Sequence, residues 1–287
     1  MNVSLDAIVN DTSSSLLARA YLDPTTRIAL VLGTGMNAAI HLPVSALHPS
    51  KFNLRPVKPT KDDTHVLTNT EMSMFGKNIL PTSKWDDALN AAHMVPNYQP
   101  LEYLIAGGYL GEIVRLIMVD AAEDAGLYDG DLPKSLRLPY ALDTKTIAII
   151  QADSSAGLTK TRELLYRTHP SSLPPSVADA KFLQNVITSV SHRSVAFFAV
   201  GVHALTAILQ DLDAETGPLD HLSVGCDGSV INKYPAYMQT AQEKLDEMWR
   251  VENNGRKRAF LETIVSGSVL GAAVGAAVAA AIVAPAN

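Results

Sequence analysis

A chain of 287 residues that is 47% hydrophobic and 18% charged is too apolar to be disordered. It is long enough to bury roughly three quarters of its unfolded surface, in one large domain or two small ones. A net charge of −6, with no basic run longer than Arg256-Lys257-Arg258, argues against a nucleic-acid partner. The single cysteine, Cys226, excludes an internal disulfide or a cysteine zinc site, and the N-terminal residues lack a secretion-signal pattern, so a reducing, cytoplasmic setting is expected.

In chain order, residues 3–9 and 27–33 read as apolar strands on either side of a helix whose N-cap would be Asp11 or Thr12. A loop rich in Pro, Lys and Asp over 48–64 leads into a strand over 65–70, and an irregular stretch follows until about Pro100. Over 101–123, Leu104, Ile105, Tyr109, Ile113, Leu116, Ile117 and Ala121 recur near three- and four-residue spacing, which predicts one long amphipathic helix. Residues 177–212 carry periodicity for two helices, with close packing or a break near Gly201. A strand over 221–225, the turn Asp227-Gly228, a helix over 234–250, a strand over 258–265 and a helix over 269–283 complete the chain. Residues 264–284 are uncharged and long enough for a membrane tail anchor. Their Ala and Gly richness favours a helix buried in the protein instead. There is no internal repeat, and alternating strands and helices indicate an α/β domain with a mixed sheet.

The segment Val9-Asn10-Asp11-Thr12 begins the first helix, and Gly33-Thr34-Gly35-Met36-Asn37 follows the next strand. Taken singly, an aspartate at a helix start is a cap and Gly-Thr-Gly after a strand is a tight turn. In this order, on a strand-helix-strand frame, the two resemble the hexokinase family pattern of Val-Asn-Asp-Thr followed by Gly-Thr-Gly-x-Asn. The resemblance continues through Asn69-Thr70-Glu71 with Phe75-Gly76, and through Leu101-Glu102-Tyr103 leading to Gly108-Tyr109-Leu110-Gly111-Glu112 and Arg115. Further matches at Val190-Ser191-His192-Arg193-Ser194, residues 224–230, Tyr234-Pro235 and Gly267-Ser268 fall in the family's order and extend it over essentially the whole chain.

The resemblance implies an actin-like (ribonuclease-H-like) α/β fold with a mixed sheet and inserted helices, residues 1–287 forming the large C-terminal domain with the small N-terminal domain absent. It implies transfer of the ATP γ-phosphoryl group, with Mg2+, to the 6-hydroxyl of a hexose such as glucose, and no metal site made by the protein itself. Asp11 matches the family's catalytic base, and Asn10, Asn37, Glu71 and Glu102 match residues that bond the hexose hydroxyls, a task suited to acceptor-rich side chains. Gly33, Thr34 and Gly35 match a phosphate loop, where glycine lets backbone amides approach an anion. Gly267 and Ser268 match a loop on the adenosine side, and Asp227-Gly228-Ser229 the turn behind it.

The pattern also departs from the family. Ser13-Ser14-Ser15 stands for Val-Gly-Thr, Met72-Ser73-Met74 for Trp-Gly-Ala, and Val269-Leu270 for a Gly followed by Lys or Arg. The family's Asp-Leu-Gly-Gly-Thr-Asn phosphate loop and Thr-Lys-Gly-Phe sugar segment have no counterpart in these residues. Positioning of two substrates lowers a barrier by roughly 7 to 11 kcal/mol, whereas a general base supplies about 10²- to 10⁴-fold. One lobe is therefore expected to bind hexose weakly and to turn over slowly or not at all. The alternative is a catalytically impaired, hexokinase-like regulatory or sugar-binding protein.

Overall fold

The structure, a computed structural model, describes residues 7–51, 65–172, 174–212, 221–252, 259–263 and 268–283. Its elements are α1 (Asp11–Leu22), β1 (Thr26–Leu32), β2 (Met36–Pro43), β3 (His65–Asn69), α2 (Lys84–Ala92), α3 (Pro100–Ile105), α4 (Leu110–Asp124), α5 (Thr144–Gln151), α6 (Thr159–Thr168), α7 (Val177–Leu212), β4 (Leu222–Asp227), α8 (Ser229–Lys233), α9 (Tyr237–Glu252), β5 (Ala259–Thr263) and α10 (Ser268–Val283).

The five strands form one mixed sheet in the order β3-β2-β1-β4-β5. β1 pairs antiparallel with β2, in a register that sets Leu32 opposite Met36, and parallel with β4, with Leu30 opposite Cys226. β3 extends the antiparallel side and β5 the parallel side. Both faces are covered, so the central strands are apolar throughout rather than alternating. On one face Leu16 and Ala18 of α1 pack with Ala29, Ala39 and Val274, small strand residues that let the helix lie close. On the other face Ile28, Leu30, Leu32, Ile40 and Val224 join the main core with residues of α3, α4, α7 and α9.

Several sequence expectations change here. β2 was hidden because its run, Met-Asn-Ala-Ala-Ile-His-Leu-Pro, is buried on both faces and carries little β-branched signal. The expected strand over 3–9 is not found over residues 7–9, which are irregular, and residues 1–6 lie outside the described set. The helix expected over 101–123 is two helices, α3 and α4, separated at Ala106-Gly107-Gly108-Tyr109. Conversely, residues 177–212 form one 36-residue helix, about 54 Å long. Gly201 does not break it; a methyl there would lie 2.7 Å from Met72 Cε, so the glycine serves close packing.

By length and composition α7 could cross a membrane, yet its buried residues recur along its length, from Ala180 to Leu209, as befits a core helix. α10 has 16 residues, fewer than the ~20 of a membrane span. It is buried on one face only: Gly275 rests on the Ser14 backbone and Ala279 is buried, while Ala273, Ala276, Ala277, Ala281 and Ile282 are exposed.

Candidate active site

A tight turn at residues 23–25 reverses the chain between α1 and β1. α1 rises about 18 Å and β1 about 23 Å, so the N-terminus of α1 returns to the level of the C-terminal end of β1. β2 starts and β3 finishes at that same end. Topology alone thus gathers Asn10-Asp11, Gly33-Thr34-Gly35, Asn37 and Asn69-Thr70-Glu71 at one edge of the sheet, the carboxyl ends of the parallel strands where α/β proteins hold ligands.

The helix cap is Asn10, not Asp11 or Thr12. Its Oδ1 accepts from the Thr12 and Ser13 amides at 3.0 and 3.2 Å, the reach an N-cap side chain needs. Asp11 is therefore the first helical residue, exposed, with Oδ1 accepting from the Thr12 amide at 2.8 Å. An anionic side chain at that position is stabilised by the helix N-terminus.

Asn37 Nδ2 donates to Asn69 Oδ1 at 2.8 Å, and Asn69 Nδ2 donates to Glu71 Oε1 at 2.6 Å. Asn69 thus ties two of the expected hexose contacts together, a bridging role its place in the motif did not disclose. Glu71 sits in the left-handed region, at φ 50 and ψ 40, which is uncommon for a residue with a Cβ and recurs at ligand-holding positions. Glu102 comes from the far side, on α3. Its Oε2 accepts from the Met36 amide at 2.9 Å and its Oε1 from the Tyr109 hydroxyl at 3.4 Å. Burial pushes the Glu102 pKa up and outweighs these two hydrogen bonds, which lower it; the Glu71 charge raises it further. A carboxylate here is held ready but incompletely satisfied, which suits an acceptor for sugar hydroxyls.

The Gly33-Thr34-Gly35 turn is clamped from two directions. The Gly107 amide donates to Gly33 O at 2.7 Å and the Gly108 amide to Thr34 O at 2.9 Å. Methyls on Gly107 and Gly108 would lie 2.7 and 2.8 Å from those same oxygens, so the break between α3 and α4 exists to let backbone meet backbone. From behind, Gly228 at φ 114 abuts Leu32 O, and the Ser229 amide lies 3.4 Å from where a Gly33 methyl would be. The turn at Asp227-Gly228-Ser229 thus packs behind Gly33-Thr34-Gly35; its expected place behind Gly267-Ser268 involves a residue outside the described set.

Thr34 also lines a cavity of about 690 Å³ bordered by Gly107, Thr144, Lys145, Ser229 and Lys233. Two lysines and three hydroxyls beside a glycine turn suit phosphate oxygens, while Asp143 adds a carboxylate and Ala148, Ile149, Val230 and Pro235 make the rest of the lining apolar. Sequence reasoning missed Thr144, Lys145 and Lys233, which belong to no motif and converge only in the fold; Thr144 Oγ1 donates to Gly107 O at 2.6 Å. Gly267 lies outside the described residues, and Ser268 is placed only as the first residue of α10. Two matched motifs prove structural. Arg193 grips the buried Asp86 with both nitrogens at 2.6 and 2.7 Å, tying α7 to α2, and Arg115 grips Glu112 at 2.7 and 2.6 Å within the core.

Comparison with known proteins identifies the family and the fold. The profile of the family described as Hexokinase matches residues 27–278. Hexokinase-1 of Schizosaccharomyces pombe is 31% identical over 241 residues, covering 82% of this chain and 46% of that protein. Hexokinase-1 of Saccharomyces cerevisiae is 29% identical over 250 residues, covering 86% and 49%. The chain spans about half the length of the curated relatives it matches. Among solved structures, a hexokinase from Schistosoma mansoni complexed with glucose superposes with a TM-score of 0.77 at 26% identity, over 94% of this chain and 57% of that one. A second hexokinase crystal structure gives 0.73 at 27% identity, over 95% and 55%. The fold is that of the actin-like class of α/β proteins. The chain belongs to the hexokinase family.

Proposed function

We propose that these residues are the large-lobe half of a hexose 6-phosphotransferase site and that the chain phosphorylates a hexose such as glucose, from ATP, slowly when alone. The observation that carries this is the linked set Asn37-Asn69-Glu71, facing Glu102 beside the Gly33-Thr34-Gly35 turn. Asn10, Asn37, Glu71 and Glu102 accept from and orient the vicinal hydroxyls. Asp11 accepts the proton of the 6-hydroxyl as its oxygen forms the bond to phosphorus and ADP leaves. Thr34 and the turn amides hold phosphate oxygens, with Lys145 and Lys233 neutralising their charge. MgATP, when bound, supplies the phosphoryl group, and its metal, which keeps mainly phosphate and water ligands, offsets charge in transfer. A reducing setting such as the cytoplasm suits the single Cys226.

A coupled assay of ADP release tests the reading. Slow, glucose-dependent release that is lost in Asp11→Ala is expected, whereas release indifferent to glucose or to Asp11 contradicts it. Met72-Ser73-Met74 beside Glu71, in place of the family's Trp-Gly-Ala, favours a second reading of sugar binding without turnover; glucose binding with no release in the wild type would select it.

A further inference from the structure

His93 follows α2 and belongs to none of the matched motifs, yet it anchors a polar chain that ends on Glu102. Its Nδ1 lies 3.2 Å from the Val95 amide. A backbone N–H can only donate, so Nδ1 accepts, and the neutral imidazole carries its proton on Nε2. That Nε2 lies 3.4 Å from the Tyr109 hydroxyl. With its oxygen accepting from His93, the hydroxyl has its one proton left for Glu102 Oε1, also at 3.4 Å. Both distances are long for these donors, as polar contacts in unliganded sites commonly are.

The ring is held in this orientation from its other side. The Tyr103 hydroxyl lies 3.0 Å from both His93 Nδ1 and Val95 O, two acceptors that share its one proton. The three rings pack on one another, with centroids 4.4 Å apart for His93 and Tyr103, 5.1 Å for the two tyrosines and 5.8 Å for His93 and Tyr109. The directions of donation therefore run one way: Val95 amide to His93, His93 to Tyr109, Tyr109 to Glu102.

We propose that His93 is a positioning residue of the hexose site, which fixes the Tyr109 hydroxyl as a donor to Glu102 and so sets the orientation of that carboxylate for the sugar. This rests on the hexose reading of Glu102. A histidine that lacked this role would serve only to close the turn after α2, and its replacement would leave Glu102 untouched.

The test uses His93→Phe, Tyr109→Phe and the double variant in the full chain, with thermal unfolding as the check that each folds. Phenylalanine keeps the ring packing, and the Val95 amide, in a half-exposed residue, can turn to water. The Tyr109 bond is to a carboxylate but is long, at 3.4 Å, so its loss or misorientation is expected to weaken glucose binding about five- to tenfold in each single variant. The double variant should bind no more weakly than Tyr109→Phe alone, because His93 acts through Tyr109. Wild-type affinity in His93→Phe, or losses that add in full, would overturn the assignment. A wild-type chain that binds no glucose fails the hexose reading instead. Carbon-13 titration of the Glu102 carboxyl separates this role from the direct effect of His93 charge, which also lowers that midpoint: an upward shift in His93→Phe that is absent when Tyr109 is already Phe supports positioning, and an unmoved midpoint, or an equal shift without the Tyr109 hydroxyl, overturns it.

Discussion

Replacing Gly35 by alanine places a methyl carbon 2.7 Å from Glu102 Oε2 and 3.2 Å from its Cδ. The backbone is no obstacle, since Gly35 is not among the glycines with positive φ, so the close approach alone carries the effect. One of the two must give way, and the carboxylate, at the end of a side chain, moves more easily than a turn clamped by the Gly107 and Gly108 amides. Displacement breaks the Met36 amide bond to Oε2, which is 2.9 Å long. A hydrogen bond to a charged group contributes about 1.5 to 3 kcal/mol. If the sugar needs Glu102 in its present place, glucose binding weakens about 10- to 150-fold while the midpoint of thermal unfolding hardly moves. Calorimetric titration of Gly35→Ala reads the affinity. Repeating the substitution in a Glu102→Ala background isolates the cause, because there the methyl has nothing to displace and should cost nothing further. Wild-type affinity in Gly35→Ala, or an equal loss in both backgrounds, would refute the argument that the turn and the carboxylate are fitted to each other.

Other outcomes follow from the same geometry. Arg193→Ala leaves the buried Asp86 carboxylate without its bidentate partner; removal of one member of such a pair costs about 3 to 5 kcal/mol, read as a lowered denaturation midpoint with little change in glucose affinity per folded molecule. Glucose affinity should fall on acidification, because proton uptake removes Glu102 as an acceptor. Since burial raises the Glu102 pKa, the fall begins at higher pH than for an ordinary carboxylate, and Glu102→Gln, weak throughout, should show a flat profile in that range. Gly275→Ala drives a methyl into the Ser14 backbone; overpacking of this kind costs about 1 to 3 kcal/mol, and proteolysis should then release α10 before the rest of the chain is cut.

The ordered motifs made the site legible because each sits where the chain changes direction. Asn10-Asp11 opens α1, Gly33-Thr34-Gly35 joins β1 to β2, and Asn69-Thr70-Glu71 follows β3, so matching them in order located one end of the sheet. Hidden from the sequence were the parts held by tertiary contact. The break between α3 and α4 has helical periodicity on both sides, and only the Gly33 and Thr34 carbonyls docking on Gly107 and Gly108 show why it is there. β2 looked like no strand because both its faces are covered. Lys145 and Lys233 come from different helices, α5 and α8, and meet only at the cavity. His93 lies in a turn whose local sequence gives no hint that its ring reaches Tyr109. Arg193 and Glu112 were legible as motif members but not as structural ones, since a salt bridge to a buried partner leaves the same trace in a sequence as a contact to a ligand.

If Asn37, Glu71 and Glu102 form one hexose-accepting set at the carboxyl end of the sheet, glucose binding depends on both glutamates. Calorimetric titration of the chain with glucose, beside Glu71→Ala, Glu102→Ala and Asp11→Ala, tests it most directly. The expected result is weak saturable binding that either glutamate substitution weakens much further, though measurably, and that Asp11→Ala largely retains. The absence of binding in a folded sample, or binding that survives loss of both glutamates, would contradict it.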